Sequence, residues 1–518
     1  MRGARWASLV AVAAAVSVGA FGIIRGTWAV GGSDSSCYAL MADAFASGRL
    51  QPETPLALEA PWRDAPLTFA PAGFIPSPVR ADAASPICAP GFSLLLAPFR
   101  SMAGRDAIFV VTPLAGTLLV ILAFIFGRQI SGAPTGAAAA VLVATMPALL
   151  FQVTQPMNDV VVTMIWMGVL VAASLPDPTR PWLLGALTGL AVLVRPNLAP
   201  AAVIVGIWLF ATIAKAHGAT SGWSRRAALA FAVAAAPFVA TLLGLNTALY
   251  GQPIGSGYGN TDELFNLQYV MPNVQQYGRA LLETQLGIPL LGFAAVALVP
   301  GRARPLTWLA SVISASIAAV YLLYRPFPEW WYLRFFLPAL APMTVLAVAA
   351  GGALLALLIR LSMRAVAGFV LVTAIAVFAM DAARDRDVFN LDRLEARFRR
   401  AGDVVRDRLP ANAVFVAVWQ SGTVRYHAGR ASLLWDSMDP AALDSAVGWL
   451  SSRGLEPFFL LERWEEPLFR ERFGAHGALG QLDWPPRFDI DRQVRIFSVS
   501  DRDRYARGDN IQTEYILR

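Results

Sequence analysis

Two acids and a handful of arginines in this sequence have the types and spacing for proton and anion chemistry. Asp34 lies in Ala29–Leu50, AVGGSDSSCYALMADAFASGRL, shortly after a long apolar run. A carboxylate there is either the solvated end of a span, the N-cap of the helical-looking segment Tyr38–Ser47, or a general base. Asp159 follows Gln155-Pro156-Met157-Asn158 and opens another apolar run, so N-capping is its plain explanation. Two acids at the same membrane level, each opening a helix, also suit one cavity, with one acting as base and the other positioning it, an acceptor or a metal. Arg195, in Leu193-Val194-Arg195-Pro196-Asn197, interrupts apolar sequence. An arginine near mid-bilayer costs about 2.5 kcal/mol or more, so it either snorkels to the surface or binds an anion such as phosphate. Arg325, Glu329 and Arg334 share the stretch Tyr324–Arg334 with Trp330, Trp331 and Tyr332. An aromatic belt explains the rings but not the charges, and rings beside arginines suit a sugar next to a phosphate. Tyr258, in the glycine-rich GQPIGSGYGNTDELF, adds a polar-tipped ring to the substrate-binding candidates.

These residues must be positioned by membrane helices. The 518-residue chain is 56% hydrophobic and 15% charged, with a mean hydropathy of +0.53, values that describe a polytopic membrane protein. Apolar windows predict about eleven spans, at 7–28, 106–127, 133–151, 158–175, 182–194, 197–214, 227–249, 282–300, 306–323, 335–358 and 365–381. The fifth and sixth meet at Arg195-Pro196, where one helix can be broken into two. The first lacks a small-residue cleavage site and is read as a retained span. With the N-terminus cytoplasmic, Arg5, Arg128, Arg180, Lys215, Arg225, Arg226, Arg302, Arg304, Arg360 and Arg364 fall inside, while Asp34, Asp159, Asp262, Glu263, Glu283 and Glu329 fall outside. An odd number of spans follows. The chain then divides into a membrane domain, 1–381, with a long first external loop at 30–105, and an extracytoplasmic domain, 382–518.

The external loop is proline-rich, carries Trp62, Phe69, Phe74 and Phe92, and ends in an apolar segment, 89–99, too short to span and suited to the interface. Beyond Asp381, a charged amphipathic helix over 382–409 is followed by strand-like runs (Val414–Val418, Pro457–Leu461, Val494–Val499) alternating with helical ones (Pro440–Ser451, Trp464–Phe473). That alternation predicts a small α/β domain. No Gly-rich phosphate loop, zinc spacing or Gly-x-Ser-x-Gly elbow is present, and His217, His427 and His476 are scattered. The formal charge of +7 comes almost wholly from arginine, Lys215 being the single lysine, and no basic-aromatic patch points to nucleic acid. Cys37 and Cys88 both fall in the external loop, where a disulfide is permitted; unpaired small apolar residues are the alternative.

The order of Asp34-Ser35-Ser36-Cys37-Tyr38, Ala-Ser-Gly-Arg-Leu at 46–50, Pro-Gly-Phe-Ser-Leu-Leu-Leu at 90–96, Asn158-Asp159 and Leu-Val-Arg-Pro at 193–196 resembles the membrane-embedded C-type (GT-C) glycosyltransferases. The nearest branch is that of the bacterial relatives of protein O-mannosyltransferases and the lipid A aminoarabinose transferase, over about residues 1 to 360. The resemblance implies an all-α polytopic membrane domain followed by a small extracytoplasmic α/β domain. It also implies an inverting transfer of a sugar from a polyprenyl-phosphate donor to a hydroxyl of a glycan, lipid or protein acceptor, at the outer face of a bacterial inner membrane. Asp34 would be the base, Asp159 its assistant, and Arg195 with Arg325 or Arg334 would hold the departing phosphate. No nucleotide sugar would be needed; the resemblance assigns no definite cofactor and leaves a divalent metal open. Ser35 stands where relatives often carry a second acid, which weakens any metal or dyad role there. A transporter or flippase of lipid-linked saccharides is the alternative, and would place charges near mid-bilayer and at both faces.

Overall fold

The computed structural model describes residues 2–175, 179–218, 221–259, 261–299 and 301–517. Contacts divide the chain into two compact units, one of Met1–Gly26, Phe109–Leu242 and Gly259–Leu391, the other of Thr27–Ile108, Leu243–Tyr258 and Asp392–Arg518. The external loop and the C-terminal region, separate in the linear division at Asp381, therefore fall in one unit.

The first unit is helical. Among the described residues, seven helices are long and apolar enough to cross a membrane: Arg5–Ile24, Arg105–Ser131, Pro196–His217, Gly222–Tyr250, Arg304–Leu322, Trp330–Leu358 and Leu361–Asp385. Two bent pairs bring the number to nine, and two shorter apolar helices, Asn158–Ala172 and Arg180–Val194, complete the set. The chain is a multi-pass membrane protein. Two expected straight spans are broken. The one at 133–151 bends by 62° between Ala144 and Pro147, because Pro147 opens the second helix and removes an N–H from the ladder. The one at 282–300 bends by 99°, since Leu286 and Gly287 adopt left-handed φ values of 52° and 67° ahead of Pro289. Its last expected residue, Pro300, lies outside the described residues. Small residues bring the remaining helices close. A Cβ on Gly127 would lie 2.9 Å from the Gly136 Cα, so the helices carrying them touch backbone to backbone.

The second unit is built on a mixed sheet. A hairpin from the external loop pairs β1, Phe74–Pro76, with β2, Ala84–Pro86. The main sheet contains β3 (Ala413–Val416), β4 (Ala431–Leu433), β5 (Glu456–Glu462), β6 (Phe488–Ile490), β7 (Val494–Ser498) and β8 (Glu514–Ile516), in the order β4-β3-β5-β7-β6-β8. Strand β3 lies parallel to both β4 and β5, and β7 runs antiparallel to β5. Strict alternation gives each face its core. Val414, Val416, Phe459 and Leu461 pack on one side with the helices Leu443–Ser452 and Glu465–Phe473, while Phe415, Ala417, Phe458 and Leu460 pack on the other with Leu391–Arg408 and Ser421–Ala428.

Trp62 and Phe69 of the external loop insert into the first of these cores, beside Trp449 and Leu433. The Leu434 N–H donates to the Thr68 carbonyl at 2.6 Å, and the Arg425 guanidinium to that of Phe69 at 2.6 Å. Those contacts explain why the loop and the sheet form one unit. The single amphipathic helix expected over 382–409 is instead two. Leu361 onward continues to Asp385, Asp387 turns the chain with φ of 55°, and a new helix starts at Leu391. The segment 89–99 is the helix Pro90–Ala103.

Candidate functional site

In the membrane unit, helix Arg180–Val194 stops where Pro196 withdraws its N–H from the ladder, and Arg195 leaves the helical conformation in the break, with φ of -146° and ψ of 85°. Its Nη1 donates to Asp159 Oδ1 at 2.8 Å, and the two side chains are 10% and 2% exposed. Asp159 is not the N-cap of its helix. Met157 occupies that position, and Asp159 is the second helical residue, where the helix dipole favours a negative charge. Asn158 donates to the Val194 carbonyl at 3.4 Å, tying the two helix ends together.

Rings cover this ion pair. The Arg195 guanidinium lies 5.3 Å from the Tyr321 centroid and 5.4 Å from that of Phe335, and these rings stack on each other at 5.1 Å. Arg334, itself buried, lies 5.1 Å from the same Phe335 ring and 5.1 Å from Tyr332. Asn197 donates to the Tyr321 hydroxyl at 2.9 Å. One carboxylate, two arginines and a tyrosine hydroxyl are thus gathered where five chain segments begin or end. Such a group favours an anion through guanidinium hydrogen bonds in a low-dielectric setting.

In the second unit, Asp34 occupies the first turn of helix Gly32–Ala46. The N-cap is Gly31, not Asp34, and Gly32 opens the helix with φ of 65°. Ser35 explains itself here. Its hydroxyl donates to the Gly31 carbonyl at 2.5 Å and accepts from the Gly31 N–H at 3.1 Å, so this residue closes the first turn. Further along the helix, Cys37 is disulfide-bonded to Cys88 with an S–S distance of 2.05 Å. Ser93 donates to the Tyr38 carbonyl at 3.0 Å, and Asp43 takes Arg100 at 2.6 Å. Helix Pro90–Ala103 is therefore fastened along the Asp34 helix.

The other side of that helix is held by Ser421–Ala428. A Cβ on Gly422 would lie 2.0 Å from Ser36 Oγ, an approach only glycine allows. Thr423 donates to the Val30 carbonyl at 2.7 Å, and His427 Nε2 accepts the Val30 N–H at 3.1 Å. Burial first, then the nearby Arg399, holds the His427 pKa down at about 3. The imidazole is neutral and carries its proton on Nδ1, because Nε2 is the acceptor. Asp106 is ion-paired with Arg399 at 2.6 Å.

Of the residues singled out in the sequence, Asp159, Arg195 and Arg334 come together. Asp34 and Tyr258 belong to the other unit, and Tyr258 is exposed. Arg325 is exposed, and its backbone N–H donates to the Leu264 carbonyl at 2.8 Å. Glu329 is half-buried at the start of the turn Trp330–Phe336. Trp330 and Trp331 pack on Phe151. Close backbone approach in the glycine-rich segment occurs at Gly257, whose added Cβ would meet the Pro86 carbonyl at 2.2 Å. Sequence reasoning passed over Tyr321, Phe335, Thr423 and His427. Tyr321 had a signal, since it precedes Tyr324 by one helical turn at the lip of the aromatic stretch. Among the described residues, no group of three or more His, Cys, Asp and Glu is placed to hold a metal.

No family model matches the sequence, and no curated protein does. Solved structures match in fold. ArnT from Cupriavidus metallidurans, bound to undecaprenyl phosphate, superposes with a TM-score of 0.56 at 14% identity, covering 90% of this chain and 94% of its own. Its apo state gives 0.57 at 16%, covering 91% and 95%. The apo oligosaccharyltransferase of Archaeoglobus fulgidus gives 0.54 at 13%, covering 90% of this chain and 71% of its own. The chain has the GT-C fold.

Proposed function

With the GT-C fold as premise, we propose that this protein transfers a sugar from a polyprenyl-phosphate donor to an acceptor hydroxyl of a cell-envelope glycan, lipid or protein. Transfer takes place at the outer face of the bacterial inner membrane, with the N-terminus cytoplasmic and the C-terminal region outside. The observation that carries the reading is the buried group of Arg195, Arg334, Asp159 and Tyr321. A polytopic protein of this fold has little structural reason to bury two arginines against one ring unless an anion is to be held.

In this reading Arg195 and Arg334 bind the phosphate of the donor and stabilise the charge that develops on it as the glycosidic bond breaks. Asp159 neutralises and orients Arg195 before the lipid arrives. Asp34 removes the proton of the acceptor hydroxyl, whose oxygen attacks the anomeric carbon from the face opposite the leaving phosphate, inverting the centre. The proton ends on the carboxylate and the lipid phosphate leaves with the bonding pair. Arg325, Glu329 and Tyr258 are assigned to the outer edge of substrate binding.

The test compares envelope glycans by mass spectrometry in a deletion strain complemented with wild type or with Asp34→Asn. The variant is expected to be present in the membrane at normal abundance and to transfer no sugar. Wild-type turnover in that variant would remove Asp34 from the role of base.

A further inference from the structure

The sheet of the second unit has a reversal in its winding that the roles above leave unused. From β3 the chain passes through Ser421–Ala428, on one face, to β4; from β4 it passes through Leu443–Ser452, on the opposite face, to β5 on the far side of β3. Parallel strands β3 and β5 thus lie side by side with their connections departing to opposite faces. In open α/β sheets, the crevice outside the carboxyl ends of such a strand pair is where ligands bind.

Here the residues that follow those two carboxyl ends are Trp419-Gln420 and Trp464-Glu465. The two indoles meet edge to face at 5.9 Å and are 38% and 53% exposed, an expensive display for large rings unless something covers them. Beneath them the polar groups are buried and fixed. Glu465, fully buried, accepts the backbone N–H of Trp419 at 3.3 Å and that of Glu462 at 2.8 Å, tying together the two turns that carry the rings. Glu462 receives Arg397 at 3.1 Å and Gln420 at 2.7 Å. Gln420 is fully buried, and its Oε1 has no hydrogen-bond partner among the described residues. Burial raises Glu465 to about 7, a cost the fold accepts to keep the two turns together.

The same crevice borders the Asp34 helix. A Cβ on Gly32 would lie 3.6 Å from the Trp419 ring, and Asp34 is two residues further on in the same turn. We propose that Trp419 and Trp464 form the stacking platform for a sugar ring of the acceptor, making the acceptor a glycan or glycolipid rather than a protein. This rests on the transferase reading of Asp34. A pyranose has one face of axial C–H bonds that packs on an indole, and a rim of hydroxyls that needs hydrogen-bonding groups beside the ring. An extended peptide has no comparable flat apolar face, and an alkyl chain has no use for the unpartnered Gln420 Oε1. The edge-to-face angle of 80° lets one ring stack beneath the sugar while the other closes its side.

The test is saturation-transfer NMR on the full-length protein in detergent micelles, with maltotriose and chitotriose as saccharide probes and the tripeptide Gly-Ser-Gly as the peptide probe. Saccharide protons on one ring face are expected to be saturated, and the tripeptide is not. Trp419→Ala and Trp464→Ala are each expected to weaken the saccharide signal about fivefold, while Trp464→Tyr retains it. The saccharide signal is read with no donor present and no turnover, so a failed transferase assay and a failed platform give different results. Saturation of neither saccharide in the wild type, an unchanged saccharide signal in the two alanine variants, or saturation of the tripeptide instead would each overturn the proposal.

Discussion

Lowering the pH should loosen the Asp34 helix through one residue, His427. Its Nε2 must be unprotonated to accept the Val30 N–H, and Arg399, Arg105 and Arg406 face it, partly offset by Asp106. The folded-state pKa of about 3 lies well below the ordinary 6.5. The unfolded chain therefore binds a proton that the folded chain refuses, and the contribution is complete above pH 6.5 and is lost as pH falls toward 3. At about 1.4 kcal/mol per pH unit, the loss is about 2 kcal/mol at pH 5 and about 5 kcal/mol when complete.

His427→Gln isolates this contribution. Glutamine presents a carbonyl oxygen to the Val30 N–H and does not titrate in this range. Urea unfolding of the full-length protein, followed by tryptophan fluorescence between pH 7 and pH 5, should show the wild type losing about 2 kcal/mol more than the variant. Parallel pH dependence in the two proteins would refute the argument, because it would mean that the imidazole is protonated in the fold or that another group carries the slope.

The Asp159–Arg195 pair gives a double-mutant cycle. Asp159→Asn removes the carboxylate that pairs with a buried arginine and should cost about 3–5 kcal/mol, whereas Asp159→Asn combined with Arg195→Met should be the more stable of the two in detergent-mediated unfolding; strict additivity across the cycle completed by Arg195→Met would show that the pair is not coupled. Replacing Cys37 and Cys88 together by alanine opens a loop with a separation of 51 residues and should lower stability by about 4 kcal/mol on the loop-entropy model. Unchanged unfolding under reducing and non-reducing conditions would show that Ser93 and Arg100 already hold the two helices together.

Much of the membrane unit was legible because the signals are local. Arg195-Pro196 announces both a helix break and a buried charge within two residues. The strands at 414–418, 457–461 and 494–499 were visible as apolar runs, since a sheet covered on both faces needs apolar residues at every position. What escaped was long-range. Nothing near Trp62 or Phe69 indicates that they fill a core with Phe459 and Leu461, roughly four hundred positions away along the chain. His427 was set aside because it lacked zinc spacing, while its actual partner is a backbone amide that no motif marks. Asp34 and Asp159 both invited the cap assignment, yet Gly31 and Met157 take it. The cap preference of aspartate over glycine or methionine is only about 1 kcal/mol, too little to set the start of a helix whose position is imposed by packing.

That imposed position is the point on which the second unit turns. A helix of 15 residues such as Gly32–Ala46 is marginal by itself, and its first turn contains Gly31 and Gly32, which add backbone freedom rather than stiffness. Its geometry is instead dictated from outside. Cys88, Ser93 and Arg100 hold it along its length, and Thr423, His427 and the glycine contact at Gly422 hold its entry. A general base must be placed to within about half an ångström of its working geometry, and side chains on helices braced by packing meet that demand better than those on free loops. The bracing comes from the C-terminal sheet as much as from the external loop. A chain ending before Asp392 would leave Val30 without its donor and its acceptor and Trp62 without its core, so the C-terminal region is a condition for ordering the Asp34 turn rather than an appendage to it.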